Sequence, residues 1–221
     1  MLDSTKYQHI IWDWNGTLLN DAWLFVDIMN GILKKYNMGN ITIKKYRDIF
    51  EFPIKEYYKK LGFDLNNYSF EKFGTEFITA YKKRKYEASL YPKVKSILSK
   101  LLSKNIHHSI LSAGEQNLLY DLTNYYKIQK YFSYINGVNN FHANGKIEKG
   151  LEFIENIKLN TNKVLLIGDT NHDYEVAQAI GIDCLLISHG HHSYSRLIQT
   201  GSPVIKNILE IFDMFAISYA D

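Results

Sequence analysis

A chain of 221 residues, 46% hydrophobic and 22% charged, has the composition of an ordinary globular protein and suits one large domain or a core with a smaller insert. The formal net charge of +3 is scattered along the chain, with its densest basic run at 82–85, so a nucleic-acid-binding face is not expected. The single cysteine, Cys184, excludes an intrachain disulfide framework, and no apolar run approaches the roughly 18 residues that span a bilayer.

Residues 9–14 (HIIWDW) form a short apolar run ending in polar residues and glycine, which predicts a buried strand followed by a turn. Asp21 then opens a helical pattern in which Leu24, Phe25, Ile28, Met29, Ile32 and Leu33 recur at three- and four-residue steps. Asp21 is a candidate cap for that helix, and residues 37–40 (NMGN) end it. Residues 44–61 and 70–86 predict further helix rich in Tyr, Phe and Lys, broken near Phe52 by Pro53. No strand is predicted between residues 20 and 88. From Tyr91 the pattern changes. Val94, Ile97, Leu98, Leu101 and Leu102 predict a helix, and 108–111 a strand ending at Ser112-Ala113-Gly114. Helices follow at 118–126, 151–157 and 174–180, with strands at 134–138, 164–167, 184–187 and 204–205. Short apolar strands alternating with helices imply an α/β fold: a doubly wound parallel sheet with helices on both faces. An all-helical insert follows the first strand. The expected division is a core of residues 1–19 and 89–221 and a helical unit of residues 20–88.

In open α/β sheets, ligands bind beyond the carboxyl ends of the strands. Three predicted strands end in polar residues that would share one rim: Asp13-Trp14-Asn15-Gly16-Thr17, Ser112-Ala113-Gly114 and Gly168-Asp169-Thr170. Each has a bland alternative. Asp169 can cap the next helix, Asp173 can favour its first turn, and Ser112 can be ordinary turn chemistry. The joint arrangement is harder to obtain by chance and points to a shared site.

These residues carry a resemblance. Asp13-x-Asn15-Gly16-Thr17-Leu18 resembles the first motif of the haloacid dehalogenase superfamily, usually Asp-x-Asp-Gly-Thr. Ser112 after an apolar strand resembles the second motif, a lysine before a helix the third, and Gly168-Asp169-x-x-x-Asp173 the fourth. The match runs from about His9 to Ile205, and the helical segment between the first two motifs is similar to that of the phosphoglycolate phosphatase-like group. The resemblance implies a Rossmann-like core, a helical cap and a Mg2+-dependent phosphatase for a small phosphorylated metabolite. A phosphate ester repels an attacking carboxylate, so a cation and basic groups must offset its charge. By the family pattern, Asp13 would attack phosphorus and form an aspartyl phosphate. Asp13, the backbone carbonyl of Asn15 and Asp169 would bind the metal, with Asp173 supporting the site. Ser112 and the Ala113 N–H would bind a phosphate oxygen, Gly114 would allow a tight turn, and Thr17 would brace the first turn by local hydrogen bonding. The third-motif lysine is Lys146 or Lys149. Residues 145–150 (GKIEKG) resemble the family's Ser-Lys-x-Glu-x-Gly stretch, which favours Lys146. No nucleic acid or membrane partner is expected. The start MLDSTKYQHI lacks the basic and apolar regions of a signal peptide, so a cytoplasmic monomer or homodimer is the expectation.

Asn15 departs from the motif. The usual aspartate gives a proton to the leaving oxygen, and an amide cannot do this at neutral pH. The departure leaves two other readings open: a catalytically weak phosphate-binding or regulatory protein, and a carbon–phosphorus hydrolase resembling phosphonoacetaldehyde hydrolases, with Lys55 as a Schiff base. Ser188-His189-Gly190-His191-His192 follows a predicted strand and reads as a polar loop near the site mouth, with zinc binding as the alternative. Phe50, Glu51, Phe52 and Tyr57, near the helix break, are the candidate specificity contacts.

Overall fold

The computed structural model describes residues 3–65, 69–138, 145–157 and 159–219. The chain begins with β1 (His9–Trp12) and β2 (Leu19–Asn20), then enters the helices α1 (Ala22–Lys35), α2 (Ile43–Ile49), α3 (Ile54–Leu61) and α4 (Phe70–Arg84). It returns through β3 (Ser89–Leu90) to α5 (Val94–Ser103), β4 (His107–Glu115), α6 (Gln116–Tyr125), β5 (Tyr134–Val138) and α7 (Lys146–Ile157). The rest is β6 (Val164–Gly168), α8 (Asn171–Ile180), β7 (Asp183–Ile187), α9 (Tyr194–Leu197), β8 (Val204–Ile205) and α10 (Glu210–Met214). Pro53 stands at the N-cap of α3 and separates it from α2, as its fixed φ and missing N–H require.

Six strands form one parallel sheet in the order β5-β4-β1-β6-β7-β8. The apolar strands are read on both faces. Ile10 and Trp12 of β1, Leu165 and Ile167 of β6, and Leu185 and Ile187 of β7 join one hydrophobic cluster with α5, α6 and α10. Ile11, Val164, Leu166, Cys184 and Leu186 point the other way, into a cluster with α7 and α8. A sheet covered on both sides needs such unbroken apolar runs. The doubly wound α/β expectation holds. Cys184 is buried in that second cluster.

The inserted helices leave and rejoin through β2 and β3, which pair antiparallel, Leu19 with Leu90 and Asn20 with Ser89. The sequence reading expected no strand between residues 20 and 88; this ribbon, which was not foreseen, sits at the two ends of that span, with only Asn20 inside it. No helix among the described residues is long and apolar enough to cross a membrane.

His108 shows how the core carries a polar group. Its Nδ1 accepts from Trp12 Nε1 at 3.2 Å and its Nε2 donates to the Leu98 carbonyl at 3.1 Å, a pattern that fits the neutral ring. Burial holds its pKa down at about 3, against about 6.5 in an unfolded chain. As pH falls, the unfolded chain takes up the proton first. The stability tied to the neutral ring is complete above about pH 6.5 and is lost progressively towards pH 3. Between pH 7 and 5 the loss is about 2 kcal/mol. Urea unfolding at the two pH values is expected to show a drop about 2 kcal/mol larger for the native protein than for His108→Gln, which cannot titrate.

Candidate active site

β1 lies between β4 and β6, and chain connections run outward from it on both sides, which opens a crevice at the carboxyl ends of these strands. Asp13 follows β1, with its N–H on the Ile167 carbonyl at 2.9 Å. The turn beyond it is held at Gly16, with φ +74°, where a Cβ would stand 2.3 Å from Asp169 Oδ2. Only glycine lets the first turn approach Asp169 so closely.

Asp169 is fully buried. Its Oδ1 accepts from Thr17 Oγ1 at 2.8 Å and its Oδ2 from the His191 N–H at 2.6 Å. Thr17 therefore spans to the far motif, which corrects the expected local bracing role. The cap of α8 is Thr170, in a capping box with Asp173, so Asp169 is not consumed as a helix cap. Asp173 Oδ2 accepts from the Asp169 N–H at 3.1 Å and from Thr170 N–H and Oγ1 at 2.9 and 2.7 Å.

Lys146, the first residue of α7, is buried and reaches Asp13 Oδ1 and Asp173 Oδ1, each at 2.5 Å. Lys149, one turn on, pairs with Glu152 at 2.7 Å at the surface. Asp13, Asp169 and Asp173 bring carboxylate oxygens within 4.8 Å of one another, the one such cluster among the described residues. The histidines of 189–192 do not form a second.

Burial pushes the Asp13 carboxyl well up; Lys146 opposes this, and the charges of Asp173 and Asp169 add to it. Burial also raises Asp169 to about 6. Burial would raise Asp173 as well, but the Lys146 ammonium and the Thr170 hydroxyl hold it below the usual carboxylate value. Desolvation works against the Lys146 charge, yet Asp13 and Asp173 outweigh it and keep the ammonium protonated. One ammonium does not neutralise this group of buried carboxylates. The donors of this group are carboxylate oxygens that could hold a metal ion, the kind of donor magnesium takes.

Ser112 is buried, and its Oγ accepts from the Gly114 N–H at 3.0 Å. Ser112, Ala113 and Gly114 line the same cavity as Asp13, Asn15 and Lys146. The sequence reading ended the strand at Ser112; β4 instead runs to Glu115 with a register shift between Leu111 and Glu115. Such an irregularity re-aims side chains at a sheet rim.

Sequence reasoning missed a buried network around Asp21. Asp21 occupies the N-cap position of α1 but makes no side-chain cap bond, contrary to expectation. Its Oδ2 accepts from Asn15 Nδ2 at 2.6 Å and Tyr81 Oη at 2.9 Å, and its Oδ1 accepts from the Gly16 N–H at 3.0 Å. The Asn15 amide also donates to the Tyr81 hydroxyl at 3.0 Å. His191 Nε2 lies 3.3 Å from Asp21 Oδ1, and its Nδ1 lies 2.6 Å from Tyr46 Oη. Burial pulls the His191 pKa down, but Asp21, Asp169 and Asp13 more than offset it and the pKa stands above the ordinary imidazole value. Tyr46 on α2 and Tyr81 on α4 thus tie the inserted helices to the rim. Arg47 adds bonds from Nε to the Gly190 carbonyl at 2.8 Å and from Nη2 to the His189 carbonyl at 2.6 Å. The loop at 189–192 borders the site as expected, with His191 lining the cavity, but it is largely buried rather than open, with His189 stacked on Tyr91 at 3.6 Å.

A cavity of about 460 Å3 opens over Asp13 and Lys146. Phe50, Phe52 and Tyr57 line it, as expected, together with Phe25, Tyr58 and Phe77. Glu51 instead pairs with Lys60 at 2.5 Å, and Lys55 is exposed and outside the lining.

Residues 10–187 match the family described as haloacid dehalogenase-like hydrolase. A phosphoglycolate phosphatase from Pseudomonas fluorescens is 25% identical over 135 residues, 60% of this chain and 49% of that protein; the chain spans about half the length of this curated relative. The fold superposes on a haloacid dehalogenase-like family hydrolase from Streptococcus pneumoniae with a TM-score of 0.77, at 20% identity, covering 96% of this chain and 99% of that one. It superposes equally, with a TM-score of 0.77 at 15% identity and coverage of 95% and 98%, on a protein described as a predicted phosphoglycolate phosphatase from Haemophilus somnus 129pt.

Proposed function

Because the chain belongs to the haloacid dehalogenase-like hydrolase family, we propose that it is a magnesium-dependent phosphatase acting on a small phosphorylated metabolite through Asp13. The observation that carries this reading is the buried group of Asp13, Asp169 and Asp173, with Lys146 bridging Asp13 and Asp173 and both Asp13 and Lys146 reaching the cavity. Asp13, the Asn15 carbonyl and Asp169 are the groups that would hold magnesium. When bound, the ion offsets the phosphoryl charge and lowers the Asp13 carboxyl into its ionised form. Asp173 takes Lys146 on Oδ1 and the Asp169 and Thr170 N–H groups on Oδ2, so it supports the site by orienting Lys146 and the turn at Asp169.

The Asp13 carboxylate bonds to phosphorus as the bond to the leaving oxygen breaks. The phosphoryl oxygens meet Ser112 and the Ala113 N–H. Water then attacks the aspartyl phosphate, releasing inorganic phosphate and restoring Asp13. The Lys146 ammonium offsets charge throughout and favours the ionised form of Asp13 against the pull of burial. We read residues 20–88 as a cap over a core of residues 1–19 and 89–221. Its hinges fall at the β2–β3 ribbon, and its closure excludes water. We expect the protein to work as a cytoplasmic monomer or homodimer.

Hydrolysis of acetyl phosphate and phenyl phosphate is expected with magnesium, to be lost with EDTA and to return when magnesium is added in excess. Turnover that ignores the chelator would remove the metal from this scheme, and silence on every ester would leave a phosphate-binding role.

A further inference from the structure

The cavity wall away from Asp13 is built mainly of aromatic rings supplied by the inserted helices and their connections. Phe25 meets Phe77 edge-on at 4.9 Å, and Phe50 meets Phe52 at 5.5 Å and Tyr57 at 5.2 Å, also edge-on. Such a herringbone accepts one more ring at the same spacing. Charge is scarce and committed. Lys82 pairs with Glu115 at 3.2 Å, Lys146 is held by Asp13 and Asp173, His191 is held between Asp21 and Tyr46, and His172 faces Glu175 at 3.2 Å beneath the Phe52 ring. Among the described residues, no arginine lines the cavity. A carboxylate on the leaving group, as in 2-phosphoglycolate, would lie against rings with no uncommitted cation, an unfavourable place for a charge.

Asn15 points the same way from the chemical side. It lines the cavity but has no proton to give to the leaving oxygen. A leaving group that departs as a stable anion needs none. A phenol, like tyrosine, has a pKa of about 10, whereas an aliphatic alkoxide is nearer to hydroxide, whose parent water has about 15.7.

Resting on the phosphatase reading, we propose that the substrate is an aryl phosphate monoester whose uncharged ring seats among these aromatic side chains. The phosphorus–aryl oxygen bond breaks as Asp13 bonds to phosphorus. The phenolate leaves with the electron pair and takes its proton from water.

Two non-hydrolysable probes separate binding from turnover. With magnesium, phenylphosphonate is expected to bind at least about tenfold more tightly than phosphonoacetate by calorimetry, and Phe77→Lys to narrow or reverse that preference. Phosphonoacetate binding as tightly as phenylphosphonate to the native protein overturns the proposal, whether or not any ester is hydrolysed. Kinetics give the second arm: kcat/KM should be at least about tenfold higher for phenyl phosphate than for 2-phosphoglycolate. Equal or better hydrolysis of 2-phosphoglycolate sinks the aryl assignment and leaves the phosphatase reading intact. Preferential binding of phenylphosphonate without turnover of acetyl phosphate or phenyl phosphate does the converse: it supports the ring site and rejects the phosphatase reading.

Discussion

Replacing Lys146 by alanine is expected to abolish turnover and to destabilise the fold by about 3–5 kcal/mol, the range for breaking a buried ion pair from one side. The ammonium is 2.5 Å from both Asp13 and Asp173, and the side chain is 2% exposed. Without it, Asp13 and Asp173 lose the one ammonium that pairs with both, and three buried carboxylates face one another. Asp13 would then take up a proton and lose its nucleophilic form. Lys149→Ala should change stability by less than about 0.5 kcal/mol and leave turnover near normal, because its partner is the exposed Glu152. Asp13→Asn provides the contrast. It should be as inactive as Lys146→Ala yet at least as stable as the native protein, since it removes a buried charge that burial and its acidic neighbours already disfavour. Urea unfolding and acetyl phosphate turnover on the three variants check this pattern. A crippled Lys149→Ala beside a normal Lys146→Ala would shift the proposed catalytic lysine by one turn.

The centre of the sheet was legible because β1, β6 and β7 are short apolar runs with both faces buried; the edge strands at 134–138 and 204–205 were marked too, although they are only partly buried. Three of the four motif segments stand at strand ends, where the alternation stops, and Asp13, Ser112 and Asp169 were marked there. The start of α7 was not legible. Its first turns read Lys-Ile-Glu-Lys-Gly, with no apolar stripe, and the helix shows only once Lys146 is seen to turn inward. The Asp21 network was also hidden. Asp21 lies 170 residues from His191 and 60 from Tyr81, and no local period pairs positions so far apart. A polar residue before an amphipathic helix reads as a cap, which is what Asp21 would be had Gly16 and Asn15 not taken its carboxylate. The histidine-rich loop misled for a related reason: His191 and His192 are polar by type but are buried, held by Tyr46 and the Asn171 N–H.

That network decides what restoring the missing acid would do. Asn15→Asp alone is expected to lower activity on both alkyl and aryl phosphates and to cost about 1–3 kcal/mol of stability, the usual penalty when a buried group loses its partner. The amide now donates to Asp21 Oδ2 at 2.6 Å, and Asp21 is fully buried. A carboxylate at position 15 would set two acidic oxygens where a donor meets an acceptor. Like charges that close cannot both stay ionised, so one must protonate or swing away, disturbing the Gly16 and Tyr81 bonds that share Asp21. The paired exchange Asn15→Asp with Asp21→Asn reverses donor and acceptor and should recover the stability. It would also leave a carboxylate facing the cavity, where it can protonate a poor leaving group. General acid catalysis is typically worth about 10²–10⁴-fold, so benzyl phosphate hydrolysis should rise by at least about tenfold over the single variant, with a smaller gain on phenyl phosphate. Unfolding of the native protein, both single variants and the double variant forms a cycle whose coupling should exceed about 1 kcal/mol. A single Asn15→Asp that gains on benzyl phosphate at unchanged stability would mean that Asp21 does not constrain position 15, and that the amide is a replaceable substitute for the acid.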